Sequence, residues 1–380
     1  MNDHDPLDDT GTPIPPPPSG ARSGASPSLQ EAPAGRRSFA QALAATLPVM
    51  LRRARRQELP VPTPWRSLNE ALGGGLWPGF YTLTSGTGAG KTQWALQVAL
   101  AAAQDELATC EAIALEAHRA SQPPPTLAPR PVVYVALELG ELDLSARLLA
   151  LLEAQHHQAP TRWSEFAYGQ AGEERLVEAV CRQQTAADRL PLLVEVAPPQ
   201  GWQAEELASL AELNPRPRLV VLDYLQLVAH ERHEDARAAM TRVAYQARAL
   251  ARDHGVVVLA LCSTARVNYA STRAADQTAP WERDPGEFVG LGKESGDIEY
   301  AADGVLTMLR QPSQGEGSDR MHLAVAKQRG GRTAWVRLLF DGSTFSDEPR
   351  PPQPTPASCA PKPAQPGFPA PVAHSFPDED

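Results

Sequence analysis

A glycine-rich loop at residues 85–92 limits the possible folds of this chain more than any other feature. It consists of Ser85, Gly86, Thr87, Gly88, Ala89, Gly90, Lys91 and Thr92. Residues 80–84 have the pattern of a buried strand, and residues 93–100 have the apolar spacing of a helix. Glycines let backbone N–H groups converge on phosphates, and the following helix adds the positive end of its dipole. The sequence therefore predicts an α/β fold that binds a nucleoside triphosphate, with Lys91 on the β- and γ-phosphates and Thr92 on Mg2+.

The loop departs from the usual phosphate-binding pattern at one position. Ser85 occupies the place where a glycine normally opens the motif. The alternative interpretation is a glycine-rich turn ahead of an unrelated helix. The flanking strand and helix favour phosphate binding.

Proline is concentrated at the two ends of the chain. The 380 residues include 38 prolines, many of them in residues 1–37 and 347–380. Neither end can bury enough apolar surface to fold, so both are predicted to be disordered tails with unknown partners. The sequence therefore predicts a linker helix in residues 38–59 and one large α/β domain in residues 60–346.

Charge and cysteine content restrict the function only weakly. The formal net charge is −10, so any contact with nucleic acid needs a local basic patch. The four cysteines show no metal-ligand spacing. The N-terminus has no apolar signal segment, and no apolar run reaches about 18 residues. We therefore expect a cytoplasmic protein without a membrane span.

Two acidic side chains follow predicted strands downstream of the loop. Glu138 ends the run 131–138, and Asp223 ends the aliphatic run 219–222. Ligands of open α/β sheets gather at the carboxyl ends of strands, so Glu138 is a candidate general base and Asp223 a candidate Mg2+ partner. Each acid taken alone is also compatible with an ordinary loop residue or strand end. Their order after a phosphate loop favours a hydrolytic site.

Six segments in this order resemble the C-terminal motor domain of DnaB-type replicative helicases, which has a RecA-like P-loop fold. The resemblance extends from about Trp65 to Phe345. The segments are residues 72–79, 85–92, 136–139, 222–227, 293–303 and 326–331. The resemblance implies a mostly parallel sheet flanked by helices, with additional antiparallel strands at the C-terminal side.

The resemblance also implies a homo-oligomeric ring, usually a hexamer, with ATP held between subunits. Lys91, Thr92, Asp223 and Glu138 would then act on the nucleotide of their own subunit. Lys327 and Arg329 match the basic pair that reaches the γ-phosphate of the neighbouring subunit. Without this context, the pair would be interpreted as an exposed cationic face.

Single-stranded DNA is the partner that the resemblance implies. The residues that match the family's channel-facing loops are Arg266, Lys293, Glu294 and Gly296. The family commonly has an arginine at the position of Lys293, and lysine keeps the charge but loses the bidentate geometry. Glu294 and Glu299 are equally compatible with a structural role in fixing the loop.

Two further departures from the family pattern concern coupling and assembly. Ser263 occupies the position where the family has a glutamine that senses the γ-phosphate, and serine is too short to reach the same oxygen without a bridging water. The collar domain that precedes the motor in DnaB helicases is not matched by residues 1–59.

These departures leave more than one function open. The first is a DNA-translocating ring helicase, and the second is a RecA-like regulatory or assembly ATPase that does not unwind DNA. A nucleotide-binding scaffold without turnover is a third. The helix predicted after Ser38 is also open to two interpretations, since it would pack on its own domain or on a neighbouring subunit, with a kink or break near Pro48.

Overall fold

The computed structural model describes residues 37–123, 127–156, 161–198, 201–203, 205–229, 236–264, 279–291, 296–313 and 317–349. It divides into two compact units, Met1–Leu59 and Pro60–Asp380. No described helix is both long and apolar enough to cross a lipid bilayer.

The first unit contains a single described helix, α1 (Phe39–Ala54). A capping box begins it: the Gln41 backbone N–H donates to Ser38 Oγ at 3.2 Å, and the Ser38 N–H donates to Gln41 Oε1 at 2.9 Å. The helix continues through Pro48, so of the predicted kink or break the break does not occur; the missing N–H of one proline is outweighed by the hydrogen bonds of the turns on either side. Among the described residues, none of the side chains of α1 is buried.

The second unit is built on one large sheet. Its strands are β1 (Gly79–Ser85), β2 (Val132–Ala136), β3 (Leu192–Val196), β5 (Leu219–Asp223), β7 (Val257–Ser263), β8 (Gly304–Gln311), β9 (Asp319–Gln328), β10 (Ala334–Phe340) and β11 (Phe345–Asp347). Two short strands, β4 (Trp202–Gln203) and β6 (Val228–Ala229), pair separately. The order in the described sheet is β11-β10-β9-β8-β1-β7-β5-β2-β3.

Strand direction divides the sheet into two parts. The pairs from β3 to β8 are parallel, whereas β8–β9, β9–β10 and β10–β11 are antiparallel. The expected mostly parallel sheet with antiparallel C-terminal strands is therefore confirmed. Because parallel strands end at the same edge, the carboxyl ends of β1, β2, β5 and β7 meet there.

Helices cover both faces of the sheet. They are α2 (Arg66–Ala71), α3 (Lys91–Arg119), α4 (Glu141–Ala154), α5 (Trp163–Ala167), α6 (Glu173–Arg189), α7 (Glu206–Ser209), α8 (Ala236–His254) and α9 (Gly296–Ala301). Alternate residues of β2 and β5 enter two different cores, one beneath α3 and one beneath α8. The buried, mainly aliphatic composition of both strands is what a sheet covered on both faces requires.

Candidate functional site

The phosphate loop connects β1 to α3. Ser85 is the last residue of β1 and pairs with Ser263 on one side and Met308 on the other. This extended position accepts a side chain, so the departure from glycine does not disturb the loop. The Lys91 ammonium donates to the backbone oxygens of Ser85 at 3.0 Å and Gly86 at 3.3 Å, which holds it against the loop.

Gly90 precedes α3 in a conformation that only glycine adopts easily. Its φ is +89°, and a Cβ at this position would lie 2.9 Å from Cζ of Phe345. Phe345 stacks on Phe340 with ring centroids 4.3 Å apart. The C-terminal strands therefore support the turn that directs backbone N–H groups toward a bound phosphate.

Asp223 is the last residue of β5 and is 2% exposed. It accepts a hydrogen bond from the Tyr134 hydroxyl at 2.7 Å, and the Thr92 side chain lies close enough to affect its pKa. Burial raises its pKa above the usual range, against the opposing effects of Tyr134, Thr92 and the positive charges of Lys91 and Arg147. Burial and the negative charge of Asp223 also raise the pKa of Tyr134 well above 10, so its phenol keeps the proton that it donates.

The side-chain oxygens of Thr92 and Asp223 fit a magnesium ion. Both are hard oxygen donors, and they lie close together at the carboxyl ends of the strands beside the phosphate loop. Within the described ranges, no group of three or more His, Cys, Asp or Glu side chains gathers to hold a metal. A magnesium ion bound here would therefore take most of its ligands from nucleotide phosphates and water, as is usual for this ion.

Glu138 lies at the same edge. It follows the end of β2 by two residues and is exposed. The Leu137 N–H donates to the Asp223 backbone oxygen at 2.7 Å, which keeps this segment beside the end of β5. Burial and the charges of Glu138 and Asp223 raise the pKa of Tyr224, so both carboxylates act on the same phenol.

Ser263 ends β7 between the phosphate loop and β5. Its backbone N–H donates to Gln226 Oε1 at 3.4 Å, and the N–H of Thr264 donates to the Ser85 oxygen at 3.3 Å. The Gln226 Nε2 atom is buried and has no hydrogen-bond partner among the residues that the structure describes. Ser263, the position predicted to sense nucleotide, is therefore adjacent to the phosphate loop. The longer amide side chain of Gln226, which follows the end of β5, lies beside it.

Along the strand direction, Lys327 and Arg329 lie farther from the carboxyl ends of the parallel strands than the phosphate loop does. The strand register places Lys327 opposite Val305, which pairs with Thr82, three residues before Ser85 in β1. At about 3.3 Å per residue, Lys327 is about 10 Å away from the loop along the strand direction. The Lys327 ammonium donates to the backbone oxygens of Glu299 at 2.8 Å and Tyr300 at 3.2 Å. The Arg329 guanidinium forms an ion pair with the Asp303 carboxylate at 3.4 Å.

Most of the predicted DNA contacts lie outside the described residues. They are Arg266, Lys293 and Glu294. Gly296 is the first residue of α9. Glu299 in the same helix is buried and accepts a hydrogen bond from the Gly290 N–H. This contact agrees with the structural alternative for Glu299.

Two side chains at the site were not found from the sequence. Tyr134 is the first, and the signal for it was a hydroxyl inside an otherwise aliphatic strand. Arg310 is the second: its guanidinium donates to the Gly88 oxygen at 3.1 Å and to Asp319 at 2.6 Å. It lines a cavity of about 160 Å³ between the phosphate loop and β8. An arginine at the end of the apolar run 304–309 was the corresponding signal.

Comparison with known proteins identifies a family and a fold. The family model described as "DnaB-like helicase C terminal domain" matches residues 60–347. One similar solved structure, of an isolated ATPase domain, has a TM-score of 0.61 and 17% identity, over 81% of this chain and 99% of that chain. "The Structure Of A DnaB-Like Replicative Helicase And Its Interactions With Primase" has a TM-score of 0.55 and 18% identity, over 80% of this chain and 67% of that chain. No curated protein sequence matches significantly. The resemblance and the RecA-like fold expected from the sequence are confirmed.

Proposed function

Since the chain belongs to the family of DnaB-like helicase C-terminal domains, we propose that it is an ATP-dependent helicase or translocase on single-stranded DNA. It hydrolyses ATP at the subunit interfaces of a ring, in replication or a related process of DNA metabolism. The supporting observation is the convergence of Lys91, Asp223 and Glu138 at one edge of the sheet.

Each residue at this edge has a separate chemical task. The loop N–H groups and Lys91 bind the phosphates, while Thr92 and Asp223 hold the metal and its water shell. Magnesium supplies charge neutralisation on the phosphate oxygens when it is bound. Glu138 is exposed at this edge, where it would orient the attacking water and accept its proton.

A ring is supported by the position of the basic pair. Lys327 lies about 10 Å from the loop of its own subunit along the strand direction. In the proposed ring, a neighbouring subunit would present its own loop and nucleotide to Lys327 and Arg329. An arginine in this position stabilises the charge on the transferring phosphoryl group. The exposed apolar residues of α1 also favour the interpretation that this helix packs on a neighbouring subunit: Phe39, Leu43, Leu47, Met50 and Leu51.

ATP hydrolysis with and without single-stranded DNA, followed by strand displacement on a forked duplex, tests this proposal. We expect DNA to stimulate hydrolysis and the duplex to separate. Stimulation without displacement would contradict the helicase while leaving translocation in place. Hydrolysis that does not respond to DNA would contradict both.

The variant Glu138→Gln tests the assignment of the general base. We expect it to bind ATP with unchanged affinity and to lose turnover by about two orders of magnitude or more, because the amide cannot accept the proton. Glu141→Gln is the matched control, since Glu141 is an exposed carboxylate at the start of α4. Retained turnover in Glu138→Gln would exclude the assigned role.

A regulatory or assembly ATPase that does not unwind DNA is the second candidate. The observation that favours it is Ser263, whose short side chain weakens the connection between the γ-phosphate and the DNA-contacting loops. This candidate predicts hydrolysis without strand displacement and without stimulation by DNA.

A further inference from the structure

The Tyr134 hydroxyl of β2 donates a hydrogen bond to Asp223 at the end of β5, and the family pattern assigns no function to this residue. We propose that Tyr134 is a positioning residue for the hydrolytic site, because its phenol holds the Asp223 carboxylate in the orientation that supports bound magnesium. This inference rests on the proposed function and names a further determinant of the same site.

Tyr134 is out of place among the side chains of its strand. β2 consists otherwise of three valines and an alanine, and all five residues are buried. A phenol in such a run leaves a polar group inside the core, which costs stability unless a partner is present. Asp223 is that partner, at 2.7 Å.

The strand register explains why this contact forms. Asp223 pairs with Ala136, and Tyr134 lies two residues earlier on the same strand. Residues two apart share a face of the sheet and are separated by about 6.6 Å. A tyrosine side chain that extends along the strand toward its carboxyl end covers this distance, so the Tyr134 hydroxyl reaches the Asp223 carboxylate.

The contact leaves the carboxylate with a defined orientation. The Tyr134 hydroxyl donates to Asp223 Oδ2, and the Thr92 side chain lies close enough to the same carboxylate to lower its pKa. Asp223 is 2% exposed, so bulk water cannot replace the phenol. The nearby Arg147 donates from Nη1 to Gln93 at 3.0 Å and lies over the ring of Trp163 at 3.7 Å, while its buried Nε has no hydrogen-bond partner among the described residues. Tyr134 therefore fixes the rotation of the group that faces the metal.

A purely structural role for Tyr134 makes a different prediction. In that case Asp223 serves only to satisfy a buried phenol, and loss of the hydroxyl changes stability without changing the use of magnesium. The two roles are separated by measuring the dependence of nucleotide binding on magnesium, which requires no turnover.

The test uses the full chain with Tyr134→Phe, which removes only the hydroxyl. ADP binding is measured in EDTA and across a magnesium titration, and ATPase rates are measured in parallel. We expect unchanged affinity in EDTA, about a 10-fold higher magnesium requirement, and a lower kcat with a nearly constant KM for ATP. An unchanged magnesium requirement would overturn the inference.

Tyr81→Phe is the matched control. Tyr81 is a buried tyrosine of β1 in the same core, but its hydrogen bond is to the backbone at Trp77. We expect this variant to keep the magnesium requirement of the unmodified chain. Equal changes in both variants would also overturn the inference, because they would indicate a general effect on the core.

A spectroscopic measurement covers the case in which Tyr134→Phe does not fold. Fluorotyrosine is introduced at position 134, and its fluorine resonance is followed as magnesium is added to the ADP complex. We expect a shift that ADP in EDTA does not produce, and a resonance insensitive to magnesium would overturn the inference. If the unmodified chain neither binds nor hydrolyses ATP, the proposed function fails first, which is a distinguishable result.

Discussion

Ser263 occupies the position where the family has a glutamine, and the effect of restoring it is measurable. Ser263 pairs with Ser85 of the phosphate loop, so a glutamine at this position starts beside that loop. We expect Ser263→Gln to increase the stimulation of ATP hydrolysis by single-stranded DNA, because the longer amide bonds the phosphate without a bridging water. Ser263→Ala is the control and should leave stimulation unchanged. No increase in Ser263→Gln would remove this explanation.

His322 makes the stability of the folded chain depend on pH. Burial, followed by the charges of Arg337 and Arg320, lowers its pKa from 6.5 to about 4. Its ring stacks on Trp281 with centroids 4.2 Å apart. Between pH 6.5 and 4 the unfolded chain binds a proton that the folded chain does not, so stability decreases as pH falls through this window and levels off below it.

The variant His322→Phe tests this dependence, because it keeps an aromatic ring beside Trp281 and removes the titrating group. Urea unfolding at several pH values measures the free energy of unfolding for both chains. We expect the decrease from pH 6.5 to 4 to be smaller in the variant. Parallel pH curves for the two chains would contradict the assignment.

The elements of the site were largely predictable because their strands are buried on both faces. β2, β5 and β7 are mainly apolar runs, β1 is a buried strand that also contains threonines, and parallel direction brings their carboxyl ends to one edge. The end of β5 at Asp223 matches the end of the aliphatic run 219–222, and the chain then forms a 3₁₀ turn at Leu225–Leu227.

Contacts between distant elements could not be predicted from local patterns. Tyr134 and Asp223 are 89 residues apart in the sequence, and apolar spacing does not say which polar group meets which acid. Gly90 is similar, since the requirement for glycine comes partly from Phe345 at the far end of the domain. The roles of the site residues remain predictions.

Helix α6 is fixed to α4 by a buried carboxylate. Glu153 is fully buried and accepts from Arg175 at 3.0 Å, Arg182 at 2.7 Å and Gln183 at 2.7 Å. We expect Glu153→Gln to lower the free energy of unfolding by about 2–4 kcal/mol, because it removes the charge that compensates two partly buried arginines.

Glu178→Gln is the control for this prediction. Glu178 pairs with the same two arginines, but its side chain is 58% exposed. An exposed pair contributes about 0–1 kcal/mol, so this variant should unfold close to the unmodified chain in urea. Similar losses in the two variants would show that burial of Glu153 does not determine the stability of this contact.

The whole molecule carries two separate sets of charged side chains. The carboxyl ends of the parallel strands carry Lys91, Glu138 and Asp223, whereas Lys327 and Arg329 lie farther down the strands, away from the phosphate loop. In the proposed ring, these two sets belong to different subunits, so that Lys327 and Arg329 of one subunit would face the nucleotide held by its neighbour. Repetition of such a contact between unlike surfaces would close a ring.

Mixing two inactive variants tests whether the site is shared. Glu138→Gln and Arg329→Ala each lack one half of the site, and we expect both to be inactive alone. In mixed assemblies, a subunit with intact Glu138 meets a neighbour with intact Arg329, so ATP hydrolysis should recover in part. A mixture of Glu138→Gln with Lys91→Ala is the control. The proposed site takes both Glu138 and Lys91 from one subunit, and every subunit in this mixture lacks one of the two, so no complete site can form. Recovery in the control, or none in the test mixture, would contradict a site formed by Glu138 of one subunit and Arg329 of the next.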